Sequence, residues 1–337
     1  MNQQIEIYQK RTVGELANQY AARNIFFDYR ERKSEETIRR QKADIKLFLS
    51  YLYQCPFSDE EKEELSDLWY SPQGWSHITF GLVEGFLHWM FNNGYALGSI
   101  NVRLSTIKTY CKLAAKADCI SKGDYALIKT VTGYRYGEAK NVDKKRDVTR
   151  IGEKKAHFAV LSKSQYQELK NQPDTPQGRR DLFLITLLFE LGLRCGEIAG
   201  LKTSELNLNE GLLVFRREKV DKTQTHELSR AILIAARKYL EVCTPGEYLM
   251  MGSSHNGSLR GRMKTRSITQ RVTDLCKRIG IDGISAHDGR HTWATFAVRA
   301  GTDIKTLQDA GGWNSPYMPL RYAESQKIAN KGVKLDY

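Results

Sequence analysis

The 337-residue chain carries 41% hydrophobic and 27% charged residues, an ordinary globular balance with enough material for two cores. No run approaches the roughly 18 apolar residues needed to cross a bilayer, and the start MNQQIEIYQK lacks a basic-then-apolar leader. A cytoplasmic protein with no membrane attachment is therefore expected. Its net charge of +13 is uneven: residues 1–134 contribute +1, residues 135–157 contribute +4 and residues 158–337 contribute +8. Such a surplus fits a polyanionic partner such as DNA, because each lysine or arginine that meets a phosphate releases condensed counterions; plain solubility accounts for it as well. The six cysteines are scattered without a Cys-x-x-Cys pair, which favours reduced structural thiols over a zinc site or a disulfide framework.

In chain order, Thr12-Val-Gly-Glu15 has the form of a capping box and predicts a short helix to about Asn24. Ser34 opens a second helix, with Ile38, Ile45, Phe48, Leu49 and Leu52 at helical spacing. Two further amphipathic stretches cover 76–92 and 98–117, divided at Asn93-Gly94. A bundle of four or five helices is expected over residues 1–134, with Asp59–Asp67 standing out as an acidic, insertion-like stretch. From 135 to 157 hydrophobic residues thin out, and a basic, poorly structured linker is expected. Residues 158–337 then read as a second domain with a C-terminal tail. Helices are expected at about 162–171, 178–191 and 195–201, and Gly211 to Phe215 reads as a strand. Polar residues 217–225 look like a turn, and His226 to Ile234 as the returning strand. Further helices are expected at about 230–241, 267–279, 287–300 and 303–310. The fold class is mainly α with a small β-sheet.

Three segments carry chemistry. In Leu191-Gly-Leu-Arg194-Cys-Gly-Glu197 one helix ends and another begins, so Arg194 can join its donor fork to the amides of a helix start, with Glu197 as a brace. A plain surface Arg–Glu pair is the bland reading. In His287-Asp-Gly-Arg290-His291, the spacing i, i+3, i+4 puts two imidazoles and a guanidinium on one helix face, suited to binding a phosphate and moving protons around it. No third metal ligand is evident there and a cation sits at its centre, so no metal is expected. In Gly311-Gly-Trp313 to Tyr322 a helix ends in glycines, a loop carries Trp313 and a short turn presents Tyr322.

Taken together, these motifs resemble the ordered set of the tyrosine recombinase (phage integrase) family. The intervals fit too, at three residues from His287 to Arg290, 23 from Arg290 to Trp313 and nine from Trp313 to Tyr322. The resemblance covers about 160–330 and implies an N-terminal helical core-binding (SAM-like) domain ahead of a C-terminal catalytic domain. It further implies that Arg194 and Arg290 clamp the scissile phosphate, that His287 assists proton transfer, and that Tyr322 attacks phosphorus to leave a 3′-phosphotyrosyl link. Trp313 stands where many relatives place a second histidine; its indole N–H can donate but cannot act as a base. Relatives also protonate the leaving 5′-oxygen with a lysine from a β-turn. Lys219 and Lys222 both qualify, and the Lys-Thr pair favours Lys222. Gly289 departs from the bulky apolar residue usual before the second arginine. Glu197 and His291 are supporting residues, and Lys144, Lys145, Lys154 and Lys155 are candidates for crossing DNA phosphates, with a solvated tether as the bland reading.

The implied partners are double-stranded DNA with specific recombination sites, a homo-tetramer on synapsed duplexes and an accessory DNA-bending protein, with no cofactor. The implied role is integration or excision of a mobile element, acting at the nucleoid. A type IB topoisomerase would use much the same residues on many sequences. A non-catalytic DNA-binding protein would explain the charge and helices but not Tyr322, and a metal-dependent nuclease lacks its carboxylate cluster. Tyr317, only four residues from Trp313, is the rival nucleophile, and Tyr337 is the last residue.

Overall fold

Capping residues cut the first part of the chain into more helices than its hydrophobic periodicity indicates. The computed structural model describes residues 12–148, 159–254 and 256–326, and it divides into two units, Met1–Lys154 and Lys155–Tyr337. The first unit contains α1 (Val13–Arg23), α2 (Ile25–Glu31), α3 (Glu35–Leu52), α4 (Asp59–Ser66), α5 (Phe80–Asn92), α6 (Leu97–Lys116), α7 (Lys122–Thr130) and α8 (Tyr136–Asp143). Thr12 and Glu15 form the expected reciprocal cap at the start of α1. The acidic stretch is itself a helix: Ser58 accepts from the Glu61 amide, and the Glu61 carboxylate reaches back to the Ser58 amide, satisfying donors that would otherwise be orphaned. Ser121 caps α7, its hydroxyl accepting from the Asp124 amide at 3.0 Å. Among the described residues up to 134, seven α-helices therefore stand where four or five helices are expected.

The core of this unit is aromatic. Trp75, Phe48, Phe86 and Tyr110 are fully buried. The Trp75 indole N–H donates to the Leu68 carbonyl at 2.8 Å, so its polar atom is satisfied inside an apolar cluster. The linker expectation needs correction. Residues 136–143 form α8, and Arg146 then lies over the Phe91 ring at 4.5 Å while donating to the Phe91 and Tyr95 carbonyls at 3.2 and 3.0 Å. A cation–π contact and two carbonyl bonds thus hold this basic segment on the first unit. Lys144 and Lys145 are exposed, whereas Lys154 and Lys155 lie outside the described residues.

The second unit contains α9 (Lys163–Lys170), α10 (Pro176–Phe189), α11 (Cys195–Gly200), β1 (Leu206–Asn207), β2 (Leu212–Arg217), β3 (Lys222–Glu227), α12 (Arg230–Val242), β4 (Met251–Ser253), β5 (Leu259–Arg262), α13 (Thr265–Arg278), α14 (Ala286–Arg299), α15 (Ile304–Gly311) and α16 (Tyr317–Gln326). The strands form an antiparallel sheet in the order β1-β2-β3 and a separate β4-β5 hairpin that the sequence pattern did not indicate. The central helix is α10, apolar nearly all round from Phe183 to Phe189, as befits a helix packed against α9, α12 and α14. Two expectations shift. The returning strand starts at Lys222 rather than His226, which confines the turn to 218–221, and residues 230–234 belong to α12. Among the described residues no helix is long and apolar enough to cross a membrane.

Candidate active site

Four segments of the second unit converge. After α10 the chain turns sharply at Gly192, whose φ is +62°, and a Cβ there would lie 2.3 Å from the Trp293 ring. Glycine meets both demands, the left-handed backbone and the close approach. Arg194 follows as the residue just before α11. The Glu197 carboxylate accepts from the Arg194 amide at 2.8 Å and from Arg194 Nη1 at 2.6 Å. The protein's own carboxylate therefore takes the first amide of this helix start and one nitrogen of the arginine fork. The Arg194 side chain keeps a quarter of its surface exposed.

Glu197 has a second partner that the sequence reading missed. Arg217 Nη1 donates to Glu197 Oε2 at 2.7 Å from a position with no exposed surface. Residues 217–225 read as a polar turn, which gives Arg217 no role. A usable signal exists: Leu213, Phe215 and Arg217 follow the two-residue period of a strand and all face inward. Burial alone would raise the Glu197 carboxyl, but Arg217 and Arg194 together hold it below the usual carboxylate range.

On α14 the three motif residues differ in depth. His287 is exposed, Arg290 and His291 are buried, and the two imidazole rings meet edge to face at 4.7 Å. The start of the helix is fixed by Asp288, which accepts from the Ser285 and Ala159 amides, and Thr292 accepts from the Leu161 amide. Gly289 has a packing reason, since a Cβ there would come 3.3 Å from Leu188 Cβ and 3.4 Å from the Phe189 ring. Helices α14 and α10 thus approach closely at Gly289. Arg290 donates through Nη1 to the Gly192 carbonyl at 2.9 Å and through Nη2 to the Gly311 carbonyl, and lies 4.2 Å over the Trp313 ring. Two of its five N–H groups are engaged by these bonds. Burial and the neighbouring Arg194 push Arg290 down to about 9, so it remains a cation at neutral pH, and an incoming anion would relieve the cost of burying it.

Helix α15 is capped by Gly312, with φ +58°, and delivers Trp313 between Trp293, 6.0 Å away, and Tyr322, 5.9 Å away. Tyr322 lies within α16 rather than on a short turn, and α16 packs on α14 and α15. Its hydroxyl is 2.7 Å from His291 Nδ1, and the residue is 3% exposed. Burial pushes the Tyr322 phenol up, against the opposing pull of Arg290, Arg321 and Arg194. Burial also lowers His291 to about 4, so its ring is neutral at pH 7 and its Nδ1 can accept the phenol proton in a hydrogen bond. Tyr317 is 71% exposed at the start of α16, well outside this cluster, and Tyr337 lies outside the described residues.

The two candidate lysines are separated by the β2–β3 register. Arg217 pairs with Lys222, Phe215 with Gln224 and Leu213 with His226, and directly opposed residues share a sheet face. Lys222, Gln224 and His226 therefore line the face that carries Arg217, with Lys222 exposed at its open end. Lys219 belongs to the 218–220 turn by its backbone. The turn origin expected of the family's lysine thus suits Lys219, while the inward face suits Lys222.

The profile of the phage integrase family matches residues 159–328, half of the chain and all of the segments just described. The chain belongs to that family. Among its curated relatives, the tyrosine recombinase XerA of Thermococcus kodakarensis is 31% identical over 141 residues, 41% of this chain and 48% of the relative. The tyrosine recombinase XerD of Proteus mirabilis is 31% identical over 156 residues, 44% of this chain and 49% of the relative. The integrase of Salmonella phage P22 is 53% identical over a short stretch of 47 residues, 14% of this chain and 12% of that one. The chain thus spans about half the length of the first two of these phage integrase relatives. In fold it is similar to a lambda integrase dimer bound to a COC′ core site, with a TM-score of 0.60 at 15% identity, covering 94% of this chain and 97% of that one. It is also similar to the Tn1549 transposon integrase in complex with circular intermediate DNA, with a TM-score of 0.56 at 15% identity over 86% and 97% of the two chains. The mainly α architecture with small antiparallel sheets is therefore that of the phage integrase fold.

Proposed function

We propose that this chain is a site-specific DNA recombinase that cleaves and rejoins DNA through Tyr322. The observation that carries the reading is the Tyr322 hydroxyl held in one cluster with His291, Trp313 and Arg290, which α14, the segment after α15 and α16 bring together. In the proposed step, Tyr322 Oη bonds to phosphorus as the bond from phosphorus to the 5′-oxygen breaks. The phenol proton leaves by way of the neighbouring imidazoles, first His291, and the leaving oxygen gains a proton from Lys222 or Lys219. The products are a 3′-phosphotyrosyl link and a free 5′-hydroxyl, so the phosphodiester energy is retained and rejoining needs neither nucleotide nor metal. Arg194 and Arg290 offer the negative charge that builds at phosphorus a charge-assisted, low-dielectric setting, and His287 stands at the exposed edge to bond the phosphate.

The proposed substrate is double-stranded DNA carrying specific recombination sites, bound by a homo-tetramer on two synapsed duplexes, with an accessory DNA-bending protein where the site requires one. Integration or excision of a mobile element, at the cytoplasmic nucleoid, is the role that suits a relative of phage integrases. Residues 1–134 would act as the core-binding domain, with Lys144, Lys145, Lys154 and Lys155 of the basic stretch crossing phosphates. Incubation with nicked suicide duplexes in EDTA tests this reading. A covalent complex on a restricted set of sequences supports it, trapping on many sequences would indicate a topoisomerase, and no trapping on any would leave a DNA-binding protein.

A further inference from the structure

The last turn of α15 is bound from outside at three successive carbonyls. Gln224 Nε2 donates to the Asp309 carbonyl at 2.6 Å, Arg217 Nη2 donates to the Ala310 carbonyl at 2.9 Å, and Arg290 donates to the Gly311 carbonyl. The Asp309 carbonyl also accepts from the Gly312 amide at 2.9 Å, whereas last-turn carbonyls in general lack helix partners and favour cations. Two of the three donors come from the inward face of the β2–β3 hairpin. Arg217 also donates to Gln224 Oε1, which steers the Gln224 amide toward α15, and to Glu197, which in turn holds Arg194. Its aliphatic stem lies against Gly312, where a Cβ would come within 2.5 Å of Arg217 Cδ. The guanidinium is 5.0 Å over the Phe215 ring and 3.4 Å from the His226 ring.

We infer that Arg217 is a positioning residue that fixes the β2–β3 hairpin against α15, so that the hairpin lysine reaches the leaving 5′-oxygen. The turn begins directly after Arg217, and Lys222 is its cross-strand partner, so tilting this strand end moves both candidate lysines at once. The other end of the same contact is α15, whose C-terminus leads into Trp313 and then the Tyr322 helix. Arg217 thereby ties the proton donor's strand to the nucleophile's segment. It acts through these neighbours and needs no contact with DNA.

This rests on Tyr322 being the nucleophile, and the test separates the two claims. Unaltered protein is first trapped on an ordinary suicide duplex; failure there concerns the proposed function alone. Arg217→Met is then compared on that duplex and on one carrying sulfur in place of the scissile 5′-oxygen, because a thiolate leaves without being protonated. Expected is a loss of about 100-fold in the cleavage rate on the oxygen substrate, scaled to a missing general acid, with recovery to within about tenfold of the unaltered protein on the sulfur substrate and unchanged DNA affinity. Gln224→Ala, which removes a less buried partner of the same bridge, should give the same pattern in milder form and guards against a folding failure of the arginine variant. Equal losses on both substrates, in either soluble variant, would overturn the inference, as would no loss on the oxygen substrate.

Discussion

The Tyr322 hydroxyl rests 2.7 Å from His291 Nδ1, a hydrogen bond between the candidate nucleophile and a ring that burial keeps neutral. In the resting molecule the phenol is therefore paired with a ring nitrogen that can accept its proton, on the helix that also carries Arg290. Replacing His291 by Phe keeps the packing of Ala294, Leu307 and Tyr322 but removes the acceptor. Cleavage in single turnover should fall by roughly 10- to 100-fold with DNA affinity unchanged, and an Asn at the same position should recover part of it. Equal rates in the Phe variant would remove His291 from any part in the chemistry.

Acid should weaken the fold through two histidine rings, His291 buried and His226 partly buried. His291 and His226 are both lowered to about 4 by burial, so the folded protein binds these protons less tightly than the unfolded chain does. Their contribution to stability is complete above about pH 6.5 and is lost as the pH falls toward 4. After allowance for solvent screening each ring accounts for on the order of 1 to 2 kcal/mol. Urea midpoints measured from pH 7 to 4 should fall steadily, and the His226→Gln, His291→Gln double variant should show a flatter profile.

Glu197 lies between two arginines, and its side chain is 9% exposed. Glu197→Gln keeps the shape and removes the charge, leaving Arg194 and the fully buried Arg217 without their counterion. A destabilisation of about 3 kcal/mol is expected, read as a lower urea midpoint with an unchanged slope. Trapping on a suicide duplex should drop with it.

Gly192 answers to both backbone and packing demands, and its carbonyl is a partner of Arg290. Gly192→Ala should cost about 2 kcal/mol or more, since the left-handed backbone is strained and the added methyl meets Trp293. A melting temperature within a degree of the unaltered protein would show that this turn yields more easily than its geometry indicates.

Much of this arrangement can be read along the chain because it depends on short-range spacing. His287, Arg290 and His291 share a helix face by periodicity, and the α10–α11 break at Gly192 is marked by its glycine. What escaped depends on contacts between distant segments. Arg217 falls in a stretch that reads as a polar turn, and its partners Glu197 and Ala310, 20 and 93 positions away, help make its burial tolerable. Strand β3 is polar along its length and is set by pairing with β2 rather than by its own pattern. The helix at 136–143 and the Arg146 clamp sit in a stretch too polar to announce a fold, and the acidic helix α4 owes its start to a cap rather than to an apolar face.

The central claim is that Tyr322 becomes covalently joined to DNA. Protein trapped on a suicide duplex can be digested and the nucleotide-bearing peptide sequenced by mass spectrometry, in parallel with Tyr322→Phe and Tyr317→Phe. The expected result is an adduct on Tyr322 alone, absent from Tyr322→Phe despite full DNA binding and undiminished in Tyr317→Phe. A covalent complex that persists in Tyr322→Phe, or a nucleotide found on Tyr317, would contradict it.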